Sequence, residues 1–470
     1  MTAFTAAATR VDVTPPAGTP LAGYGARGDA VATGCHDPLE AGLFWLHDDT
    51  LTHDTGTDDT GTDDTGTDDT GTDVVWVALD VVGVDVELTR AVSAAVAGAL
   101  GRPGAVVLLC ASHTHSSAAY WFHRPAGPAA FGAEDRAASA PLRARLVDRI
   151  AAAAAELPQR LAPVRLLAAE GPVHGVGANR HRPDGPHDPS VGVLAAVDGA
   201  GAAVGVLVNY ASHPTVLGHD NLRWSADWPG ATRRALAGAL HELRRSGAEP
   251  PPVLFLQGAA GDASARFVRR AQSFDEADRL GGLLAAQSLT ALLDGATEVQ
   301  GPIAVRRGSV TLPSKPSLPP EVAREHEEQA RLAWESVRRT DPDGSPAERL
   351  ARTRYEGAWV DRAMAETPLP ATFELPLTVV AIGRHAWVHL PVELFTTFGL
   401  RIRAEAPFEA TRVVGYTNGY FGYVADAAAH RDSAYEAGVS FFGAEAGDRL
   451  CAAAIELAQE AAGAAEEAAR

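Results

Sequence analysis

Short apolar runs, each closed by a compact polar block, recur along this 470-residue chain. Runs of this length bounded by turn residues predict buried strands. They fall at 9–16, an edge strand ending at a proline pair, then at 43–46, 74–84, 106–110, 164–168, 191–197, 203–209, 252–256, 303–312, 373–382, 386–389 and 413–416. Helical stretches alternate with them, at 88–100, 141–157, 229–242, 275–293, 320–336, 346–366, 393–404, 446–457 and 460–469. Interleaved strands and helices predict an α/β fold with a mixed β-sheet core flanked by helices. The polar blocks then lie at strand ends, where such folds gather their sites.

One stretch breaks the pattern. From 54 to 73 a Thr-Gly-Thr-Asp-Asp repeat carries eight aspartates and no base. It has nothing to bury, which predicts a disordered acidic loop between two strands rather than a packed element. A calcium-binding repeat is the sharper alternative, but the spacing is not that of a known calcium loop. The stretch 320–366 is rich in both charge signs and predicts a helical hairpin outside the core. The domain reading is therefore one catalytic unit over 1–430, interrupted by these two insertions, with a C-terminal helical extension over 431–470 packed on the same domain.

Charge narrows the function classes. The formal net charge is -19, of which the acidic loop accounts for eight units and the remainder for -11. Such a surface repels nucleic acid, and there is no basic stripe interleaved with aromatics. Three cysteines, Cys35, Cys110 and Cys451, give neither a disulfide framework nor a Cys-rich metal motif. No apolar run reaches transmembrane length, and the first residues lack a basic region followed by an apolar core, so the expected location is cytoplasmic.

The candidate chemistry lies in the blocks themselves. Ser112-His113-Thr114-His115-Ser116 follows the 106–110 run, and His213 and Glu393 lie at or near later strand ends. Histidines and a carboxylate delivered this way suit a metal site. In an extended strand His113 and His115 would point to the same side about 6–7 Å apart. The plain alternative is ordinary polar residues at strand ends. Glu393, at the head of the 393–404 helix, could equally complement the helix dipole. Asp262 and Ser264 lie in a glycine-rich bend that is neither a Gly-x-Ser-x-Gly elbow nor a phosphate loop, so a structural turn is its simplest reading.

Taken in order, the blocks carry a resemblance. Val11-Asp12-Val13-Thr14-Pro15-Pro16, Gly23-Tyr24-Gly25, His36-Asp37-Pro38-Leu39, Ser112-His113-Thr114-His115-Ser116, Ala178-Asn179-Arg180 and Ala211-Ser212-His213-Pro214 come first. Trp224-Ser225-Ala226-Asp227, Gly261-Asp262-Ala263-Ser264, Pro391-Val392-Glu393 and Asn418-Gly419-Tyr420-Phe421-Gly422-Tyr423 follow. Over most of its length the chain resembles the neutral/alkaline non-lysosomal ceramidase family, through the catalytic part of those proteins. The resemblance implies a zinc-dependent amidohydrolase that cleaves an N-acyl bond of a small-molecule or lipid-like amide substrate. It implies Zn2+ held by His113, His213, Glu393 and Tyr423, the last chosen over Tyr420. His115 would assist as a proton carrier, Arg180 would face the polar head or oxyanion, Ser264 would be nucleophile or oxyanion partner, and Asp227 a supporting group. Ser116-Ser117-Ala118 and Ala265 depart from the family pattern and open the expectation to smaller or more polar amides. The other readings are a metal-dependent esterase or carbohydrate-modifying hydrolase, and a non-catalytic binding protein of the same fold.

Overall fold

The computed structural model describes residues 4–28, 30–49, 71–122, 136–244, 249–342, 345–367 and 369–468. Its centre is a nine-stranded mixed sheet. The strands run in the order Val253–Gln257, Ala203–Tyr210, Ser190–Val197, Ala162–Pro172, Phe4–Asp12, Glu40–Asp48, Thr72–Leu79 and Val106–Ala111, with Thr297–Val299 pairing Ala162–Pro172. Val253–Gln257 is parallel to Ala203–Tyr210, and Val106–Ala111 is parallel to Thr72–Leu79. A second sheet of four strands runs Ile303–Pro313, Thr372–Ile382, His385–His389 and Ala410–Val414, and its last two strands are also parallel.

The two sheets stack face to face. Period-2 alternation sends successive side chains of a strand to opposite faces. In Thr72–Leu79, Val74, Trp76 and Ala78 enter a dry layer with Phe44, Leu108, Leu207, Leu254, Val380, Ile382 and Trp387, which come from both sheets. Val75, Val77 and Leu79 face the other way, against Leu88, Val92 and Val96 of the helix Val86–Leu100 and Leu146 and Ile150 of the helix Arg136–Ala154. Further along the same outer face, Val208 and Phe255 meet Trp228 and Leu280 from the helices Asp227–Arg244 and Phe274–Gly295. The outer face of the small sheet is covered by Phe398 and Ile402 of Thr396–Glu405 and by Leu450, Ala454 and Ala458 of Ala446–Ala468. The layers are therefore helix, sheet, sheet, helix.

The buried layer carries one polar cross-link. Trp76 Nε1 donates to His389 Nε2 at 3.1 Å, and His389 Nδ1 meets the Thr378 carbonyl at 3.3 Å. A buried indole N–H needs a partner, and here it finds one across the sheet interface. Burial pushes the His389 imidazole down to about 4, so it remains a neutral acceptor.

Several elements differ from the sequence expectation. The first strand begins at Phe4 and lies inside the sheet, paired on both sides, rather than running 9–16 at an edge. Residues 446–468 form one helix, not two. The acidic loop expected at 54–73 lies outside the described residues as far as 70. At its far end Thr72 is already in a strand, because the Asp73 carboxylate is held inward by Trp45 Nε1 at 2.7 Å and His47 Nδ1 at 2.9 Å. The helices Pro320–Thr340 and Pro346–Glu366 lie against each other, with Trp334 stacked on Tyr355 at 5.2 Å. No helix among the described residues is long and apolar enough to cross a membrane.

The helix Asp227–Arg244 is fastened by an ion pair beneath the sheet edge. Arg233 donates two hydrogen bonds to the Asp80 carboxylate, each at 2.6 Å, and Asp80 also receives the Glu40 N–H at 2.9 Å. Asp80 has no exposed surface. Removing one partner would strand a buried charge, which costs about 3–5 kcal/mol. Arg233→Met should therefore lower stability by that amount, read from the midpoint of urea unfolding, and the double replacement Arg233→Met with Asp80→Leu should recover most of it.

Candidate metal centre

The parallel strand pairs within the two stacked sheets run towards one edge, and the polar blocks follow their ends. Val106–Ala111 leads to His113, Ala203–Tyr210 to His213, Val253–Gln257 to the 258–264 bend, and His385–His389 to Glu393. Ala410–Val414 leads to Tyr416 and then to Tyr423. Backbone hydrogen bonds join the two sheets at this edge: Gly415 N to Gln257 O at 2.9 Å, Gly261 N to Leu394 O at 2.8 Å, and Ala111 N to Tyr416 O at 3.1 Å. Gly261 is needed for the approach. A Cβ there would lie 2.6 Å from the Glu393 carbonyl oxygen.

Three imidazoles converge. His113, His115 and His213 place ring nitrogens within 4.8 Å of one another. Nε2 of His113 is 3.2 Å from Nε2 of His115. The Glu393 Oε2 lies 3.2 Å from His113 Nε2 and 3.1 Å from His213 Nε2. Its other oxygen accepts the Tyr420 hydroxyl at 2.5 Å. The Tyr423 hydroxyl is 3.4 Å from His213 Nε2, with its ring nearly parallel to that imidazole.

Backbone carbonyls fix the ring orientations. His113 Nδ1 donates to Val82 O at 2.6 Å, and His213 Nδ1 donates to Ala260 O at 2.7 Å. A neutral ring with Nδ1 protonated presents its Nε2 lone pair, the form a metal ligand takes. The chain turns sharply to achieve this. The strand stops at Ala111 and His113 adopts φ 68°, so the two histidines are not on an extended strand and their tips meet at half the spacing such a strand would give. Behind them the buried Gln257 amide ties the histidine loops together. Its Nε2 donates to Ser112 O at 3.2 Å and Ser212 O at 2.9 Å, while its Oε1 accepts from Ser212 N and Gly258 N.

Glu393 is not at a helix head. It forms a two-residue strand, Glu393–Leu394, parallel to Tyr423–Val424, and the helix starts at Thr396. Asp262 sets that start by accepting both the N–H and the hydroxyl of Thr396, each at 2.7 Å. The dipole reading of Glu393 falls with this, and the ligand geometry is what its position offers.

Electrostatics follow from burial. His113, His213 and Glu393 are each no more than 1% exposed. Burial, reinforced by Arg180, pushes His213 down to about 4. Burial also drives His115 well below the ordinary range, with the charges of its neighbouring imidazoles adding to the effect. Glu393 moves the other way from what burial alone would give, because His113 and His213 hold its carboxyl well below the usual value. Burial raises the Tyr423 and Tyr416 phenols well above theirs, and the Glu393 charge adds to both.

The donor set fits a tetrahedral divalent ion. Bonds of about 2.0 Å at tetrahedral angles put ligand atoms about 3.3 Å apart, and the measured separations among His113, His115, His213 and Glu393 are 3.1–3.2 Å where they are closest. The group is nitrogen- and carboxylate-based, as borderline-soft metals prefer.

The remaining sequence-predicted residues fall at different distances from this centre. Arg180 reaches it, with Nη1 3.2 Å from His213 Nε2 and its guanidinium 5.3 Å from the Tyr423 ring centroid. Ser264 is adjacent through the backbone, bridged to His213, but its hydroxyl accepts the Arg266 N–H at 3.2 Å and bonds none of the imidazoles. Asp227 is not brought to the rings. Its carboxylate takes the N–H groups of Leu217 at 3.0 Å and Trp228 at 2.7 Å, and burial raises it to about 6. It braces the loop after His213 against the start of a helix.

Glu436, Tyr416 and Arg27 escaped the sequence reading, and Tyr24 entered it only within the Gly23-Tyr24-Gly25 block. Glu436 binds Arg180 Nε at 2.6 Å and His181 Nε2 at 2.9 Å, and despite burial the Arg180 charge holds it at about 2. Tyr416 lies against the His113 ring at 4.3 Å. Tyr24 meets the His115 ring edge-on at 4.8 Å, and Arg27 donates to the carbonyls of Ala22 and His115 at 2.6 and 2.7 Å. Gly23, at φ +97°, leaves the space His115 fills, since a Cβ would lie 2.6 Å from its ring. The Gly23-Tyr24-Gly25 block was the available signal for this support. Glu436 had none.

No protein-family model matches the chain, and no curated protein matches it. Solved structures do. A ceramidase complexed with C2 is 19% identical with a TM-score of 0.71, over 97% of this chain and 75% of that one. The neutral ceramidase of Pseudomonas aeruginosa is 20% identical with a TM-score of 0.71, over 99% of this chain and 75% of that one. The chain shares the fold of these two proteins.

The histidine shifts set an acid sensitivity. His213 and His389 titrate near 4 in the folded chain and near 6.5 when unfolded. Between those values the unfolded state binds more protons, so stability is full above about 6.5 and declines as pH falls towards 4. Chelator-treated protein should show a urea midpoint that drops steadily across this window. Asp227, raised to about 6, holds its proton in the folded chain and offsets part of this loss, so a midpoint that rises as pH falls across the window would contradict neutral burial of these rings.

Proposed function

We propose that the chain is a zinc-dependent amidohydrolase cleaving an N-acyl bond, related in chemistry as well as fold to the ceramidases. The observation that carries this reading is the convergence of His113, His213 and Glu393 at buried strand ends, with Glu393 Oε2 3.2 and 3.1 Å from the two ring nitrogens and the Tyr423 hydroxyl 3.4 Å from His213 Nε2, and with His115 beside them. The fold shared with a neutral ceramidase supports it. His113, His213, Glu393 and Tyr423 would hold the zinc. Bound there, zinc would supply Lewis-acid polarisation of the acyl carbonyl and lower the pKa of a water towards neutrality.

The chain's own groups then divide the work. Arg180, held by Glu436, points a fixed positive charge at the place where the carbonyl oxygen gains negative charge, the arrangement that stabilises acyl-transfer transition states. His115 has its Nε2 towards the centre and, among the described residues, no partner for its buried Nδ1, which suits a ring that takes a proton and passes it to the leaving amine. Among the described residues no histidine is hydrogen-bonded to the Ser264 hydroxyl to serve as its base, which favours an oxyanion-donor role over that of a nucleophile. Tyr420 and Tyr423 orient Glu393 and cover His213. The substrate is an N-acyl compound, ceramide or a smaller or more polar amide.

Metal analysis and hydrolysis together test the reading. Purified protein should carry one zinc per chain, and His213→Ala should lose both metal and hydrolysis across a panel of N-acyl amines that includes ceramide. Ser264→Ala should keep its metal and lose about 10²–10³-fold in kcat, the usual cost of one oxyanion donor. Zinc-free protein that still hydrolyses the panel would sink the mechanism, and a panel of simple esters turned over faster than every amide would assign the chain to ester chemistry.

A further inference from the structure

One tyrosine at the metal centre combines features that packing alone leaves unexplained. Tyr416 has no exposed surface, and among the described residues its hydroxyl has no hydrogen-bond partner. A phenol both donates and accepts, and a buried one is normally paired. Its neighbours follow that rule. The Tyr24 hydroxyl donates to the Leu217 carbonyl at 2.7 Å, and that of Tyr420 to Glu393 at 2.5 Å. Taking a hydroxyl out of water without replacing its hydrogen bond lowers stability, so an orphan of this kind needs a reason.

The backbone carries a second strain at the same residue. Tyr416 adopts φ 55°, in the left-handed region where a bulky side chain is an outlier. Asn418, at φ 58°, is a residue type that this region tolerates, and its side chain accepts the Leu109 N–H at 2.8 Å. The Tyr416 side chain makes no such bond among the described residues. Its conformation is held from outside. The Tyr416 N–H donates to the Val392 carbonyl at 3.3 Å, and the Ala111 N–H donates to the Tyr416 carbonyl at 3.1 Å. Strain enforced by surrounding structure gathers at functional sites.

The strained turn places the ring. Its centroid lies 4.3 Å from that of His113 and 6.5 Å from that of His213. After burial itself, the group that acts most on the hydroxyl is Glu393, followed by Tyr423, Tyr420 and Arg180. These four come from separate stretches of the chain, and all border the centre. The hydroxyl is therefore directed at the centre, while the ring shares an apolar cluster with Leu79, Leu109 and Ala111.

We propose that Tyr416 is a further catalytic residue, whose hydroxyl donates a hydrogen bond to the anionic oxygen of the group that enters the centre. In hydrolysis that oxygen is the acyl oxygen as it gains negative charge. The inference rests on the amidohydrolase reading for the identity of the oxygen, but not for the donor itself. A donor without a protein partner is ready for a ligand, since no bond has to be broken first. The orphan hydroxyl weakens the empty chain and contributes only once a ligand is in place.

Tyr416→Phe keeps the ring and removes only the hydroxyl. The probe is acetohydroxamate, a small metal-binding ligand with an anionic oxygen, and its binding to the zinc-loaded full chain is measured by calorimetry. The variant should keep its zinc content and bind the probe about tenfold or more weakly, the scale of one hydrogen bond to a charged group. On N-acyl substrates its kcat should fall about 10²-fold with KM little changed, as loss of a contact made only in the transition state requires. After chelator treatment the variant should unfold at a urea midpoint equal to or above that of the unaltered chain, because the missing hydroxyl had no partner to lose. A hydroxyl with a structural role gives the opposite result, a lower midpoint or a variant that does not fold, and either would overturn the proposal. So would undiminished affinity for acetohydroxamate in the variant, or no binding of it to the unaltered zinc-loaded chain. Probe binding that depends on Tyr416, without hydrolysis of any N-acyl compound, would keep the donor and remove the amidohydrolase reading. Hydrolysis with equal kcat in the variant would do the reverse.

Discussion

A carboxylate with almost no exposed surface organises this molecule. Water would solvate Glu393 far better than a protein interior does, so the charge survives burial only where compensating groups are brought close to it. Tyr420 donates to one of its oxygens, the Nε2 atoms of His113 and His213 lie 3.2 and 3.1 Å from the other, where a shared cation would join all three, and none of these residues comes from the same stretch of chain. His113 and His213 follow strands of the large sheet, whereas Glu393 and Tyr420 follow strands of the small one. The cluster can exist only when the sheets are stacked in one register. The fold can thus be read as the arrangement that brings these ends together, and the dry interface of Phe44, Trp76 and Trp387 as what keeps them from sliding.

Around that centre, support is graded by distance. Carbonyls of Val82 and Ala260 aim the two rings. One amide, that of Gln257, satisfies all its hydrogen-bonding capacity while linking the two loops that carry the rings. Asp262 and Asp227 bind backbone N–H groups and define where helices begin. Glu436 steadies Arg180. Each of these polar side chains is buried and fully occupied, which is how a low-dielectric site holds its geometry instead of relaxing it.

Much of the architecture was legible because buried strands announce themselves. The run Thr72–Leu79 is apolar on both faces, which signals a covered strand. It does not say what covers each face, so the second sheet stacked on the first had no signature. Phe4–Asp12 was misread at its start because its alanines are poor strand formers by themselves, and pairing on both sides overrides that weakness. At the site, residue types and order pointed to His113, His115, His213 and Glu393, since few other roles suit histidines at strand ends. Glu393 was nevertheless assigned to a helix, because its neighbours 394–404 carry a helical pattern and the short pairing with Tyr423 is invisible in sequence. Glu436 was illegible for a simpler reason. It gains meaning from Arg180 and His181, which lie 256 and 255 residues earlier.

Those long separations bear on how the chain acquires its form. His213 and Glu393 are 180 residues apart, and Trp76 and His389 are 313 apart. Closing loops of that size costs chain entropy before any contact rewards it, so such pairings come late in folding. The hairpin Phe4–Asp12 with Glu40–Asp48, and the helix pair Pro320–Thr340 with Pro346–Glu366, can form from neighbouring segments. The imidazole cluster cannot form from any one of them. An ion that needs all its ligands at once would therefore pass over partly folded chains and be retained by finished ones, and its uptake would report completed assembly.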